Sequence, residues 1–397
     1  MSKITVIDAI MGAGKTNHAI KFMSEAADDR RFIYITPFLS EVERIIDRVT
    51  GRKFVQPTRN ASNEGSKLRS LKDAIIDGKD IASTHALFKA ADDELISLLT
   101  SAGYTLVLDE VMDVMEPVNV KRDDIRLLLD GGRIRIEGNR IIWTDPTYDA
   151  HFNDLKMYAE AENLFIYRDT YVLWSFPARI FKCFDESIIL TYLFEAQTMS
   201  YYFKLHGMEY ETVSIEGDSR VPYDVQRERR AALIELIDVY EGKMNDTGNR
   251  NAYGAGWLRR QKKAKGGLAE QKRNLNNYFR NVLGAPSDAI MWATLKEVET
   301  SVKGKGYTKA AIPVNARATN DYADKWALAY LFNRFKNPYE NSFFGENGVQ
   351  VNEDLLAVSD LLQWIWRSRI RRGEPVKLYL PSSRMRSLLT AWSRYEI

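Results

Sequence analysis

Apolar positions in this chain fall into short solid runs separated by stretches with helical spacing. The residues up to Val6 and Ile7, then Phe32 to Ile35, Leu106 to Leu108 and Ile188 to Leu190 are runs of this kind. A continuous apolar run, rather than an alternating one, is what a strand buried on both faces requires. Between the runs, residues 17–26, 38–46 and 68–77 show the three-to-four spacing of amphipathic helices. Ser40 with Glu43 fits a capping box for the second of these. Residues 51–65 are polar and aperiodic and are expected to form a surface loop. Strands alternating with helices imply an α/β fold with parallel sheets.

The order continues less evenly. Residues 79–88 suggest a short strand, a Thr-His turn and a helix. Residues 133–143 alternate around Gly138-Asn139, the signature of a β-hairpin, with basic exposed positions. This hairpin is expected to lie in an insertion spanning about 117–184. Strands at 187–193 and 210–215 flank a helix at 194–205. The polar run 216–222 marks a domain boundary, giving domains 1–216 and 217–397. Beyond it come helices over 225–241, strands at 289–294 and 310–314, a helix at 355–372, a strand at 376–380 and a helix at 382–392. No internal repeat is visible.

Two segments carry chemistry. Ala9-Ile10-Met11-Gly12-Ala13-Gly14-Lys15-Thr16-Asn17 lies between the first strand and the first helix. Strand, glycine loop and helix in that order are the context of a phosphate-binding loop. Glycines let backbone N–H groups close on an anion, and the helix N-terminus adds partial positive charge. Lys15 would reach the β- and γ-phosphates, and the Thr16 hydroxyl would ligate Mg²⁺. The second segment is the apolar strand Tyr104 to Leu108, which ends in Asp109-Glu110. In a nucleoside triphosphatase the Asp holds Mg²⁺ and the Glu polarises the attacking water.

Composition narrows the classes. The 397 residues suffice for two domains, with 45% hydrophobic and 28% charged residues. No apolar run approaches a membrane span, and the chain starts directly on a strand, so no signal peptide is expected. The single cysteine, Cys183, excludes an internal disulfide and a cysteine-rich zinc site, and the four histidines are scattered. A cytoplasmic protein is expected. Net charge is only +2, so nucleic-acid binding would need local basic patches. The run 259–265, with five basic residues, is one such patch, although a solvated face is the commoner role of a charge run.

Ala9-x-x-Gly12-x-Gly14-Lys15-Thr16 resembles motif I of superfamily 2 DNA/RNA helicases of the DEAD/DEAH kind. Asp109-Glu110 sits where motif II belongs, although Asp109-Glu110-Val111-Met112 departs from the Asp-Glu-Ala-Asp form. Further segments follow in the family's order. Thr36-Pro37 resembles motif Ia, and Thr84-His85-Ala86-Leu87 resembles motif Ib. Leu190-Thr191-Tyr192-Leu193 stands at motif III. Arg317, Thr319 and Asn320 stand at motif V, and Gln363, Arg367 and Arg371 at motif VI, where Trp366 replaces the family's glycine.

The resemblance implies two RecA-like domains with an ATP cleft between them, and ATP and Mg²⁺ as cofactors. It implies residues 9–17 around the nucleotide, with Mg²⁺ on Thr16 and Asp109. Lys15, Asp109, Glu110, Gln363, Arg367 and Arg371 would be catalytic. At helical spacing, Gln363, Arg367 and Arg371 would share one narrow face, with either arginine offered to the γ-phosphate. Thr36, Pro37, Thr84, His85, Arg317, Thr319 and Asn320 would hold nucleic acid, with Thr191 coupling the two activities. The compact helicases that bacteriophages encode for replication or recombination are the nearest kind, which favours DNA over RNA and the host cytoplasm. A membrane partner is not expected, and a monomer is compatible with the motif set. The alternatives are a genome-packaging motor ATPase and a nucleotide-gated binding module without unwinding.

Overall fold

The computed structural model describes residues 3–59, 66–89, 91–168, 171–245, 247, 249–314 and 321–397. It divides into two compact units, one of residues 1–8, 15–221 and 337–351, the other of 9–14, 222–336 and 352–397.

The first unit is built on an eight-stranded sheet. Its strands are β1 (Lys3–Asp8), β2 (Arg31–Thr36), β3 (Phe54–Val55), β4 (Asp80–Thr84) and β5 (Tyr104–Asp109), and then β11 (Glu186–Thr191), β12 (Glu211–Glu216) and β13 (Ser219–Pro222). Their order is β13-β12-β1-β11-β5-β2-β4-β3. The pairs from β12 to β3 are parallel. This answers the solid apolar runs: Phe32–Thr36 and Tyr104–Leu108 are buried at every position. The chain leaves β1 and returns at β2, skipping two strand positions that β5 and β11 later fill. In an open α/β sheet such a switch in strand order opens a crevice at the carboxyl ends of the strands. The glycine loop follows β1 there.

Between β5 and β11 the chain forms a separate five-stranded sheet. It comprises β6 (Met115–Pro117), β7 (Ile134–Glu137), β8 (Arg140–Trp143), β9 (Leu164–Tyr167) and β10 (Tyr171–Ser175), in the order β6-β10-β9-β8-β7. The expected hairpin is β7–β8, paired from Ile134↔Trp143 to Glu137↔Arg140. Gly138 takes φ 64° in its turn, a conformation open to glycine at no steric cost. Ile125, Leu128, Ile141, Trp143, Leu164 and Val172 give this sheet its own core.

A late segment also belongs to the first unit. Helix Pro338–Glu346 stacks Tyr339 on Tyr171 at 4.9 Å, sets Phe343 edge-on to Tyr167 at 5.9 Å and pairs Glu346 with Arg168 at 2.6 Å.

The second unit holds the parallel sheet β14 (Ile237–Val239), β17 (Val376–Tyr379), β16 (Ala327–Leu331) and β15 (Ile290–Thr294), in that order. Two expectations change here. Residues 237–239, expected as helix, form edge strand β14. Residues 310–314, expected as a strand, contribute only a single bridge, Ala311 to Trp292. The third strand is β16, whose run Ala327-Leu328-Ala329-Tyr330-Leu331 is buried throughout.

Candidate nucleotide site

Sheet register brings the ends of three neighbouring strands together. Asp8 of β1 pairs with Thr191 of β11, and Leu190 of β11 pairs with Asp109 of β5. Helix α1 (Lys15–Glu25) begins just beyond β1, so Lys15 and Thr16 form its first turn. The Thr16 hydroxyl lies 3.4 Å from Asp109 Oδ2. The segments expected as motifs I and II, 93 residues apart in the chain, therefore meet on one oxygen. In the loop, Ala13 N–H donates to Ile10 O at 3.2 Å, while Gly12 and Gly14 take φ of 82° and 92°. Those are left-handed conformations that only glycine adopts freely. Ala9 is buried, and Ile10, Met11 and Ala13 are half-buried. Asn17 is exposed and accepts from Arg44 at 3.3 Å.

Two residues that the sequence reading passed over complete the arrangement. Tyr34, on β2, donates its phenolic hydrogen to Asp109 Oδ2 at 2.5 Å. Asp8 accepts the backbone N–H groups of Leu193 and Phe194, both at 2.8 Å. Each had a faint signal, since a tyrosine hydroxyl in an otherwise apolar strand needs a partner. An acid closing a buried strand before a glycine loop needs one as well.

Burial raises the Asp109 carboxyl to about 6. Its hydrogen bond from Tyr34 acts against that, the charges of Glu110 and Glu41 add to it, and Lys15 opposes it. The Tyr34 phenol is pushed well above its ordinary range, first by burial and then by the charge of Asp109. Glu110 sits at φ 65°, a strained conformation for a residue with a Cβ, and its N–H donates to Leu190 O at 3.0 Å.

The residues fit a Mg²⁺–nucleotide complex. A hydroxyl and a carboxylate are hard oxygen donors, and Mg²⁺ is commonly held by one or two carboxylates plus substrate phosphates. Among the described residues no group of three or more His, Cys, Asp or Glu could cage a metal. The remaining ligands would come from phosphate and water.

Other expected site residues are placed differently. Thr36 and Thr84 are register partners on β2 and β4. Thr36 is fully buried, however, and its hydroxyl meets no partner among the described residues. Its side chain therefore cannot grip a phosphate, a correction to the motif Ia expectation. The expected capping box also fails: helix Leu39–Arg48 begins at Leu39, which puts Ser40 inside it, and Phe38 caps without a side-chain bond. Pro37, Thr84 and His85 are half-buried, and His85 opens helix His85–Phe88 as expected. The Thr191 hydroxyl is buried without a hydrogen bond among the described residues. Arg317, Thr319 and Asn320 lie outside the described residues.

Motif VI needs a larger correction. The helix spans Glu353–Ile365, and Ser368, in extended conformation, caps a separate 3₁₀ turn at Arg369–Arg372. Helical phase therefore ends before Arg367, and Gln363, Arg367 and Arg371 do not share one helical face. Gln363 is buried against Ser359 at 3.3 Å, Arg367 is buried and Arg371 is half-buried. Arg369 donates to Pro375 O at 2.6 Å and lies over Trp326. Trp366, in the place of the family's glycine, has a partner: a Cβ added to Gly12 would lie 2.5 Å from its indole ring. Both residues belong to the second compact unit.

Comparison with known proteins places the chain. The family model of the YonV middle domain matches residues 115–174, the segment of the five-stranded sheet. That of the YonV C-terminal Rossmann-like domain matches residues 231–393, the segment containing the four-stranded sheet. The SPbeta prophage-derived uncharacterized protein YonV of Bacillus subtilis (strain 168) is 39% identical over 409 residues, covering 99% of each chain. Among solved structures, XPD in its apo form has a TM-score of 0.51 at 12% identity, covering 99% of this chain and 95% of the other. S. tokodaii Xpd4 has 0.50 at 12% identity, covering 100% and 94%. At such identity the likeness concerns the fold alone, a mixed α/β architecture with parallel sheets shared with these two structures. The relative, matched at 39% identity along 99% of its length, shows the chain to be a member of the YonV family.

Proposed function

We propose that this protein is a Mg²⁺-dependent ATPase that moves along or unwinds nucleic acid, a compact phage-type helicase of superfamily 2. The observation that carries the reading is the meeting of Thr16 and Asp109 at 3.4 Å beside a glycine loop. Thr16 and Asp109 would hold Mg²⁺, which when bound neutralises charge on the β- and γ-phosphates. Lys15, heading α1, places its ammonium against the same phosphates. Glu110 orients the attacking water and accepts its proton as the bond between the γ-phosphorus and its bridging oxygen breaks. The products are ADP and phosphate.

Nucleic acid would be held by its phosphates near Pro37, Thr84 and His85. Helix Leu39–Arg48 starts there with no side-chain cap, which leaves backbone N–H groups to donate. Phosphate contacts carry no base or sugar information. The prophage-derived relative makes DNA the first substrate to try.

The experiment is steady-state phosphate release from Mg·ATP with and without single-stranded DNA or RNA, followed by unwinding of tailed duplexes. Stimulation by one of the two strands is expected. Hydrolysis that neither strand accelerates would sink the helicase reading and leave a nucleotide switch.

A further inference from the structure

The basic run at 259–265 is the start of a larger feature. Residues 259–309 hold twelve basic and four acidic side chains, a net charge of +8 in a chain whose total is +2. The rest of the protein is therefore net acidic. Eleven of the twelve basic residues are exposed, and Lys303 is half-buried.

The few carboxylates do not neutralise this surface. Glu297 is taken by Arg259 through two bonds of 2.7 and 2.8 Å, and Glu299 by Lys303 at 2.6 Å and Lys296 at 3.2 Å. Arg260, Lys263, Lys265, Lys272, Arg273 and Lys309 meet no carboxylate among the described residues. The hairpin β7–β8 behaves in the opposite way: Arg133, Arg135 and Arg140 are each paired, with Asp145, Glu137 and Glu162.

The segments that carry the charge pack on one another. Arg259 and Glu297 join helix Ala255–Lys263 to the turn at Lys296–Val298. Arg280, just past helix Ala269–Asn277, donates to Lys305 O at 3.0 Å. Tyr307 donates to Val302 O at 3.0 Å and approaches Lys272 O at 3.4 Å. Like charges held this close repel one another and destabilise the folded state unless a polyanion neutralises them.

We infer that residues 259–309 form a binding face for the phosphodiester backbone of a single nucleic-acid strand, outside every helicase-like motif. The inference rests on the nucleic-acid reading above and adds to it the surface that supplies affinity. Lysine and arginine contacts of this kind are independent of sequence and release counterions, so they declare themselves in salt dependence. An anionic membrane is the weaker fit, because a membrane-seated face needs exposed apolar side chains. Of the exposed large hydrophobic residues, only Val282 falls within 259–309.

The test uses the full chain and a fluorescently labelled single-stranded oligonucleotide, followed by anisotropy across a salt series without nucleotide. The variant is R260E/K263E/K265E, all exposed, with R260Q/K263Q/K265Q as its neutral counterpart. Losing three phosphate contacts should lower the slope of log affinity against log salt by about 2. The charge reversal should raise Kd at least tenfold, and the neutral set should fall between it and wild type. Binding of Mg·ATP should not move.

Wild-type binding with unchanged Kd and slope in both variants would overturn the proposed face and leave the nucleic-acid reading intact. Failure of the wild type to bind either DNA or RNA would overturn both. Wild-type binding to phosphatidylglycerol vesicles but not to the oligonucleotide, lost on charge reversal, would reassign the face to a lipid surface and overturn the proposal.

Discussion

Tyr34 and Thr16 approach the same oxygen of Asp109, Tyr34 at 2.5 Å and Thr16 at 3.4 Å. With both donors on Oδ2, Oδ1 is the oxygen that would meet the proposed Mg²⁺ or its water. Hydrogen-bonding partners behind a metal-binding carboxylate commonly contribute 10- to 100-fold in metal affinity or activity. Tyr34→Phe removes one hydroxyl and keeps the ring packed in β2. It should raise the Mg²⁺ concentration for half-maximal binding of a non-hydrolysable ATP analogue by about tenfold. Equilibrium titration of the analogue against Mg²⁺ measures this. An unchanged Mg²⁺ requirement with only a lower melting temperature would make Tyr34 a packing residue.

Glu110 pairs the chemical role proposed for it with a strained backbone. Its φ of 65° costs about 1 to 2 kcal/mol for a residue with a Cβ. Glu110→Gln keeps the side-chain shape and should retain ATP binding, while turnover falls by about 10²- to 10⁴-fold with the loss of the proton acceptor. Glu110→Gly should be equally inactive. It should also be more stable than Glu110→Gln by roughly 1 kcal/mol, glycine's extra unfolded-state freedom offsetting part of the relief. Chemical denaturation of both variants checks the order. A glycine variant less stable than the glutamine one would show that the Glu110 side chain holds its own turn together.

Much of the first unit was legible in the sequence, because buried parallel strands write themselves as solid apolar runs. β1, β2, β5 and β11 all declare themselves this way, and Asp109-Glu110 follows from a strand end. The second unit was harder to read for identifiable reasons. β14 is a three-residue edge strand, too short for any period, within a stretch whose composition is helical. β16 is rich in alanine, which carries weak strand preference. The motif VI helix was extended too far because nothing at Trp366 or Arg367 breaks a helix, while the stop lies in Ser368, whose side chain caps the next turn instead. No local pattern could show that helix Pro338–Glu346 belongs with the first unit, since its aromatic partners are Tyr167, Tyr171 and Tyr201. Tyr34 and Asp8 were missed because their partners are distant in the chain.

Asp8 offers a stability test close to the site. Its carboxylate is buried and accepts two backbone N–H groups at 2.8 Å, from Leu193, itself at φ 54°, and from Phe194. Asp8→Asn leaves one oxygen for two donors and points an amide N–H at one of them. Hydrogen bonds to a charged acceptor contribute about 1.5 to 3 kcal/mol, so a loss of about 2 kcal/mol is expected by urea denaturation. A change of a few tenths of a kcal/mol would show that the segment after β11 needs no such anchor.

The last prediction concerns the second unit. Arg384 is buried, and its guanidinium serves four groups. It donates to Asn333 Oδ1 at 2.8 Å and to Arg334 O at 2.7 Å, just beyond β16. It also reaches Asp354 Oδ1 at 2.7 Å and Glu353 O at 3.3 Å, at the head of helix Glu353–Ile365. Its own helix, Ser383–Ser393, follows β17, so one side chain ties two helices to the sheet's edge of strand ends. Only a planar fork with five donors can satisfy so many acceptors at once. Lysine keeps the charge but carries three donors on one nitrogen, and leaves buried carbonyls without partners. Arg384→Lys should therefore destabilise the protein by about 2 to 4 kcal/mol, at a cost of about 1 to 3 kcal/mol for each buried polar group left unsatisfied. Arg384→Met should be worse, because it also strips the positive charge from beside Asp354. Thermal and urea denaturation of both variants measure the difference. A lysine variant within 0.5 kcal/mol of wild type, the usual spread of an exposed substitution, would show that water replaces the fork.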